Sequence, residues 1–291
     1  MTSREVMQAA IHFKNPDRLP VMMPALGRSD VSFLWIAIPG KDDEQAGTST
    51  DEYGCVWTIP RGEVRNMGQV TGHPITSMDQ AATYPLPDWS RPEFFPDLDK
   101  IAEESYNKGL YVATGHFMLL FERMHALCGF GPLLEALYLE PEASAILADR
   151  LVENVISKVE ILSRRYGRKI QALNCSEDWG TQQSLMISPE KWFEFFKARY
   201  KRIFDAVHAQ GWDMWMHSCG KINPILPHLH EVGLNIINLQ QPRALGIEEV
   251  GKLVRGKLCF EGVCDIQRTL PTGDAKLIEQ DVIDLLKHWA A

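Results

Sequence analysis

Residues 217–219 read His-Ser-Cys, at the end of the apolar run WDMWMHSCG and just before Gly220. Residues i and i+2 of a strand share a face, so His217 and Cys219 point at one spot. Neutral imidazole and thiolate are good zinc ligands, and holding the metal takes at least one more protein donor. Cys264, closing the later run KLCFEGVCD, is the first candidate; Glu177 and Asp178, ending IQALNCSEDWG, are oxygen alternatives. A zinc ion with an open coordination position stabilises a bound thiol as thiolate, a nucleophile able to accept an alkyl group. It can equally act as a Lewis acid on an ether oxygen or a water. The competing reading is a hydrogen-bonded core histidine beside a packing cysteine.

Other polar residues fall at strand ends too. His116 ends LYVATGHF, and Gln240 and Gln241 end LNIINLQQ, where Pro242 stops the strand. Asp178, His116 and Gln241 are therefore the expected catalytic groups. Trp179, Gln182, Gln240 and Arg28 are the expected substrate contacts. Glu122 and Arg123 read as a structural ion pair at a helix start. Trp212 and Trp215 read as packing residues, and His208, His228 and His230 as surface residues on helices.

The elements that must hold these groups alternate. Helices are expected over 3–13, with Ser3 as N-cap, over 119–129, over 131–166 in two pieces, and over 188–210, 222–232, 246–254 and 275–289. Ser188 caps the 188–210 helix and Pro189 suits its first position. Between the later helices lie near-continuous apolar runs, as strands buried on both faces require. Strand–helix alternation implies a parallel sheet with helices outside. The polar ends SEDWG, HSCG, QQP and CDIQ would meet at one mouth in a barrel, or at a switch point in an open sheet. No GxGxxG follows the first strand, which removes a dinucleotide site. The expected fold is α/β, a single (β/α)8 TIM-type barrel domain over 1–291, lacking the last strand–helix unit. The strand count reaches seven, beginning at VMMPAL and including CVWTI. Residues 40–100, rich in Pro, Gly, Asp and Ser, read as a loop-rich insertion near the mouth.

Composition excludes several classes. The chain has 291 residues, 45% of them hydrophobic, and a formal net charge of −8. That charge, with no long Lys/Arg cluster, argues against nucleic-acid binding. No apolar run approaches the length of a membrane span, and the N-terminus lacks a secretory h-region. Six irregularly spaced cysteines do not form a disulfide framework, which suits a cytoplasmic location and free thiols.

The segments PDRLPV, DEYG, PLPDW, FERMHALCGF, EDWGTQQSLMISPEKWFEFFKARYKRIFDAVHAQG, HSCG and FEGVCDIQRTLPTG resemble the uroporphyrinogen decarboxylase-like superfamily, and within it the corrinoid-dependent methyltransferase branch. The resemblance spans nearly the whole chain; DWGTQ…HSCG is its specific part. It implies a (β/α)8 barrel with the site at the C-terminal mouth. It also implies methyl transfer between a cobalamin carried on a corrinoid protein and a small-molecule thiol, or from donors such as methoxyaromatics. His217 and Cys219 match the zinc-binding pair. In thiol-methylating members the third ligand is a cysteine on the eighth strand, and the strands counted in this sequence number seven. Cys264, on the preceding strand, is the substitute, and a neighbouring subunit of a homo-oligomer could complete the barrel and cover its exposed edges. Where decarboxylases carry an arginine-rich MRQAGR-like segment, this chain reads MPALGRSD and keeps only Arg28. A methyltransferase is thus favoured over the alternatives, a decarboxylase-type lyase or a non-catalytic small-molecule-binding relative.

Overall fold

The computed structural model describes residues 1–36, 47–59 and 68–291. Six parallel strands lie side by side in chain order: β1 Val31–Trp35, β2 Tyr111–His116, β3 Ala172–Ser176, β4 Asp213–His217, β5 Ile236–Asn238 and β6 Cys259–Glu261. The helices are α1 Ser3–Ile11, α2 Leu98–Asn107, α3 Phe121–Cys128, α4 Phe130–Leu139, α5 Pro141–Tyr166, α6 Lys197–His208, α7 Leu226–Glu231, α8 Ile247–Val254 and α9 Ala275–Trp289. Sequential parallel strands with helices between them is the TIM-barrel arrangement. Among the described residues β1 and β6 are the outer strands and do not pair with each other.

Alternation sorts the side chains. Val31, Tyr111, Ala113, Ala172, Trp215 and Ile236 turn to one face, where Met7 and Ile11 of α1 pack on them. Leu34, Val112, Leu173, Cys175, Met214 and Ile237 turn the other way, into the main cluster with the helices. The sheet curls around the first set. β1 and β4 are three spacings apart, roughly 14 Å in a flat sheet, yet the Phe33 and Trp215 ring centroids are 5.6 Å apart. Helix α1 closes the N-terminal end of this interior. Its Arg4 N–H donates to Gly109 O just before β2, and His12 beyond it reaches Asp213, the first residue of β4.

Several sequence expectations change. VMMPAL is not the first parallel strand: Met22–Met23 pair with Arg28–Ser29 in a short antiparallel ribbon, and β1 begins at Val31. CVWTI supplies Val56–Thr58, the centre of a separate three-stranded antiparallel sheet with Thr48–Thr50 and Gln69–Gly72. The parallel strands described are therefore six, not seven. Within the 40–100 insertion, residues 40–46 and 60–67 lie outside the described residues. Thr2, not Ser3, caps α1, in a capping box with Glu5.

Candidate metal centre at the strand ends

His217 closes β4 on the inward side, two residues after Trp215. Its register partners are Ser176 on β3 and Asn238 on β5, and Asn238 in turn pairs with Glu261 on β6. These four residues form one row across four strands. The Asn238 side-chain oxygen lies 2.6 Å from His217 Nδ1. Nδ1 therefore carries the hydrogen and donates it, which leaves the Nε2 lone pair free. Nε2 lies 3.3 Å from Cys219 Sγ and 3.5 Å from Asp178 Oδ1. The donor atoms of Asp178, His217 and Cys219 all lie within 4.8 Å of one another, the one such group of three found among the described residues.

Two loops must touch to build this. Asp178 follows β3 and Cys219 follows β4. The Cys219 N–H donates to Asp178 Oδ1 at 2.7 Å, and Lys221 N–H donates to Thr181 O at 2.7 Å. Gly180 and Gly220 make the approach feasible. A Cβ on Gly180 would fall 2.5 Å from Lys221 N, and Gly220 holds φ +77°, which favours glycine. From the β5 end, buried Gln241 accepts from Gly220 N–H at 3.1 Å and from the Gln182 side-chain amide at 3.0 Å.

The surroundings are acidic. Burial, then the Asp178 carboxylate, push the Cys219 thiol up to about 12, so it stays protonated at neutral pH unless a cation stands beside it. Burial, with Asp178 and Glu177 nearby, pushes Glu122 up to about 8. Burial also raises Glu177. Glu177, however, accepts from the Leu120 and Phe121 N–H groups at the start of α3 and from the Tyr200 hydroxyl. Three donors and a helix N-terminus favour its charged form, so of this pair Glu122 keeps the proton and takes the Ser176 hydroxyl as its partner at 2.6 Å. Glu122 does not pair with Arg123, whose partner is Asp51 at 2.7 Å.

The other expected site residues fall elsewhere. Cys264 lies three residues beyond the end of β6, and its thiol faces Ile278 O on α9 at 3.8 Å. It does not join the donor group; Asp178 takes the third corner. His116 ends β2 but points outward: its Nδ1 lies 3.4 Å from Lys158 Nζ on α5. Its neighbour Gly115 faces in, so the strand is one residue out of the phase expected. Trp179 is fully buried, stacked on Phe121 at 4.1 Å and donating to Tyr200 Oη at 3.1 Å; it is a core residue. Arg28 is exposed in the ribbon ahead of β1, whereas the donors sit at the opposite, C-terminal ends of the strands. Gln241 and Gln182 are bonded to each other beside the site, and Gln240 holds Ile266 N–H through its carbonyl. Sequence reasoning passed over Asn238 and Glu261, although strand alternation from a known inward residue would have found them.

A curled parallel sheet with a three-donor cluster at its C-terminal ends defines an α/β barrel protein with a candidate metal centre. The family model for uroporphyrinogen decarboxylase (URO-D) matches residues 70–291, and the chain belongs to that family. A search of curated proteins gives no match. Among solved structures, a methyltransferase from Methanosarcina mazei is similar at 15% identity and a TM-score of 0.68, covering 100% of this chain and 91% of its own. At that identity the likeness bears on the fold. TsXylA, an intracellular xylanase from Thermoanaerobacterium saccharolyticum, is 16% identical with a TM-score of 0.39, covering 66% of this chain and 67% of its own, too distant to bear on it. No helix among the described residues is long and apolar enough to cross a membrane.

Proposed function

We propose that this chain is a zinc-dependent methyltransferase that moves a methyl group between a corrinoid carried by a partner protein and a small-molecule thiol or methoxylated aromatic. The observation that carries the reading is the convergence of His217 Nε2, Cys219 Sγ and Asp178 Oδ1 within 4.8 Å. The donor set fits zinc: one imidazole with its lone pair free, one sulfur and one carboxylate oxygen. The family and the fold neighbour agree with a methyl-transfer enzyme. Zinc bound by these three residues would supply charge that keeps a thiol ionised or polarises an ether oxygen.

The protein's own contribution is placement. Asn238 holds the His217 ring, the Cys219 N–H holds Asp178, and Gln241 holds the loop through Gly220. Glu122 stands beside Ser176 as a protonated carboxyl and a proton source at the edge of the site. Such fixed geometry is how a site holds two reactants in line. The lyase alternative would need cationic side chains to receive carboxylates. Arg28, the arginine expected for that, stands apart from the cluster.

Metal analysis of purified protein tests the reading directly. Wild type is expected to hold zinc stoichiometrically, and His217→Ala and Cys219→Ala to lose it. Demethylation of methylcobalamin, followed by absorbance, with a panel of thiols and methoxyaromatics then tests the reaction. A zinc-free wild type from metal-replete buffer would overturn the proposal.

A further inference from the structure

The row that carries His217 does not stop at Asn238. Glu261, the last residue of β6, is the lateral register partner of Asn238, and Asn238 that of His217. The Asn238 side chain is almost fully buried, and its oxygen meets His217 Nδ1 at 2.6 Å, which leaves its NH2 for the other side of the row, where Glu261 stands. Trp215 pins the carboxylate: its Nε1–H reaches Glu261 Oε2 at 2.9 Å. Trp215 is itself buried among the inward residues. Glu261 is thus held by Trp215 beside the Asn238 amide, and it touches none of the three candidate metal donors.

An amide has one oxygen and one NH2, so its orientation decides what its neighbours see. The Asn238 oxygen faces His217, and its NH2 is left for the Glu261 side of the row. That oxygen needs a hydrogen on Nδ1, and a neutral imidazole protonated there has its lone pair on Nε2, on the side of Cys219 and Asp178. If Asn238 turned over, its NH2 would face Nδ1 and favour the other tautomer, with a hydrogen on Nε2 in the way of a metal. We infer that Glu261 is a positioning residue which, through Asn238, fixes the tautomer of His217. The inference rests on the metal-centre reading for its purpose, though not for its geometry.

The decisive variant is Glu261→Gln. It keeps the volume of the side chain but puts an NH2 where the carboxylate has its second oxygen. With Trp215 holding the remaining oxygen, the new NH2 faces Asn238 and favours the flipped amide, whose oxygen accepts from it. The readout is the long-range 1H–15N spectrum of histidine side chains in metal-free, 15N-labelled protein, with His217 assigned by its loss in His217→Ala. Wild type should show Nδ1 protonated and Nε2 bare; E261Q should show the reverse or a mixture; Glu261→Asp should restore the wild-type pattern in part. Zinc affinity should fall by about 10- to 100-fold in E261Q, the range for lost orienting partners. Should E261Q fold poorly by circular dichroism, Asn238→Ala read in the same spectrum takes its place and should likewise lose the Nδ1-protonated form. An unchanged His217 tautomer in a folded E261Q or N238A would overturn the inference and leave the metal centre standing. A wild type with the expected tautomer and no zinc would do the opposite.

Discussion

Gly220 and Gly180 lie back to back: a Cβ added to Gly220 would fall 2.1 Å from the Gly180 carbonyl oxygen. This crossing joins the loop that carries Asp178 to the loop that carries Cys219. Gly220→Ala meets both a backbone clash and a positive φ of 77°. Strain of the second kind alone costs about 1–3 kcal/mol. The expected outcome is a lower urea midpoint together with lost zinc, since separating the loops separates the donors. A variant with wild-type zinc content would show that the crossing does not position the centre.

The third donor can be decided by a pair of variants. Asp178→Asn keeps an oxygen for the Cys219 N–H but removes the charge that faces His217 Nε2. Cys264→Ala removes a thiol whose neighbour is Ile278 O on α9. Zinc affinity, measured by competition with a chelating dye, should drop at least tenfold in D178N (on the order of 1.4 kcal/mol) and stay at wild type in C264A. The opposite ranking would return Cys264 to the centre and remove Asp178.

These two residues show what could be read from the chain. The strand–helix rhythm and the inward place of His217 follow from apolar runs with polar ends, and both are local; Cys219, two residues past the end of β4, meets His217 through a loop held by Asp178. The phase of a strand is not local. LYVATGHF is buried at every position from Tyr111 to His116, so nothing in it says which residues face inward. The answer comes from Trp35 on β1, whose ring lies where a side chain on Gly115 would go, 2.2 Å from its Cβ position. The choice of β1 was equally hidden, because VMMPAL and VSFLW are both short apolar runs and only pairing with β2 separates them. Cys264 misled for a related reason: β6 ends three residues earlier, and alternation does not extend into a loop.

Trp179 should behave as packing rather than as a substrate contact. Trp179→Ala is expected to cost about 3–5 kcal/mol in chemical denaturation, the usual range for a buried tryptophan. Trp179→Phe should cost about 1 kcal/mol, mainly the hydrogen bond to Tyr200. In the folded Phe variant the KM for the methyl substrate should match wild type. A raised KM at unchanged stability would place the indole against the substrate instead.

Lys158 gives the fold a pH signature of its own. The residue is 2% exposed, and its amine nitrogen donates to Gly115 O at 2.9 Å and Ile36 O at 3.3 Å and lies 4.2 Å over the Trp89 ring. Burial pulls it down to about 7, against roughly 10.4 in an unfolded chain. Between these values the unfolded state binds more protons than the folded one, so this group makes stability rise with pH, and its contribution is lost as pH falls toward 7. Over the whole window the change is on the order of a few kcal/mol. Other groups titrate at alkaline pH, so the measurement is the difference between wild type and Lys158→Met in urea midpoints from pH 6 to pH 10, about the span of the two values. Met fills a similar volume without the charge. Removing two carbonyl partners offsets the curve by a constant and leaves its slope alone. Wild type should gain on the variant steadily from about pH 7 upward. Parallel curves would mean that the carbonyls and the Trp89 ring hold the ammonium charged throughout, and that burial does not govern it.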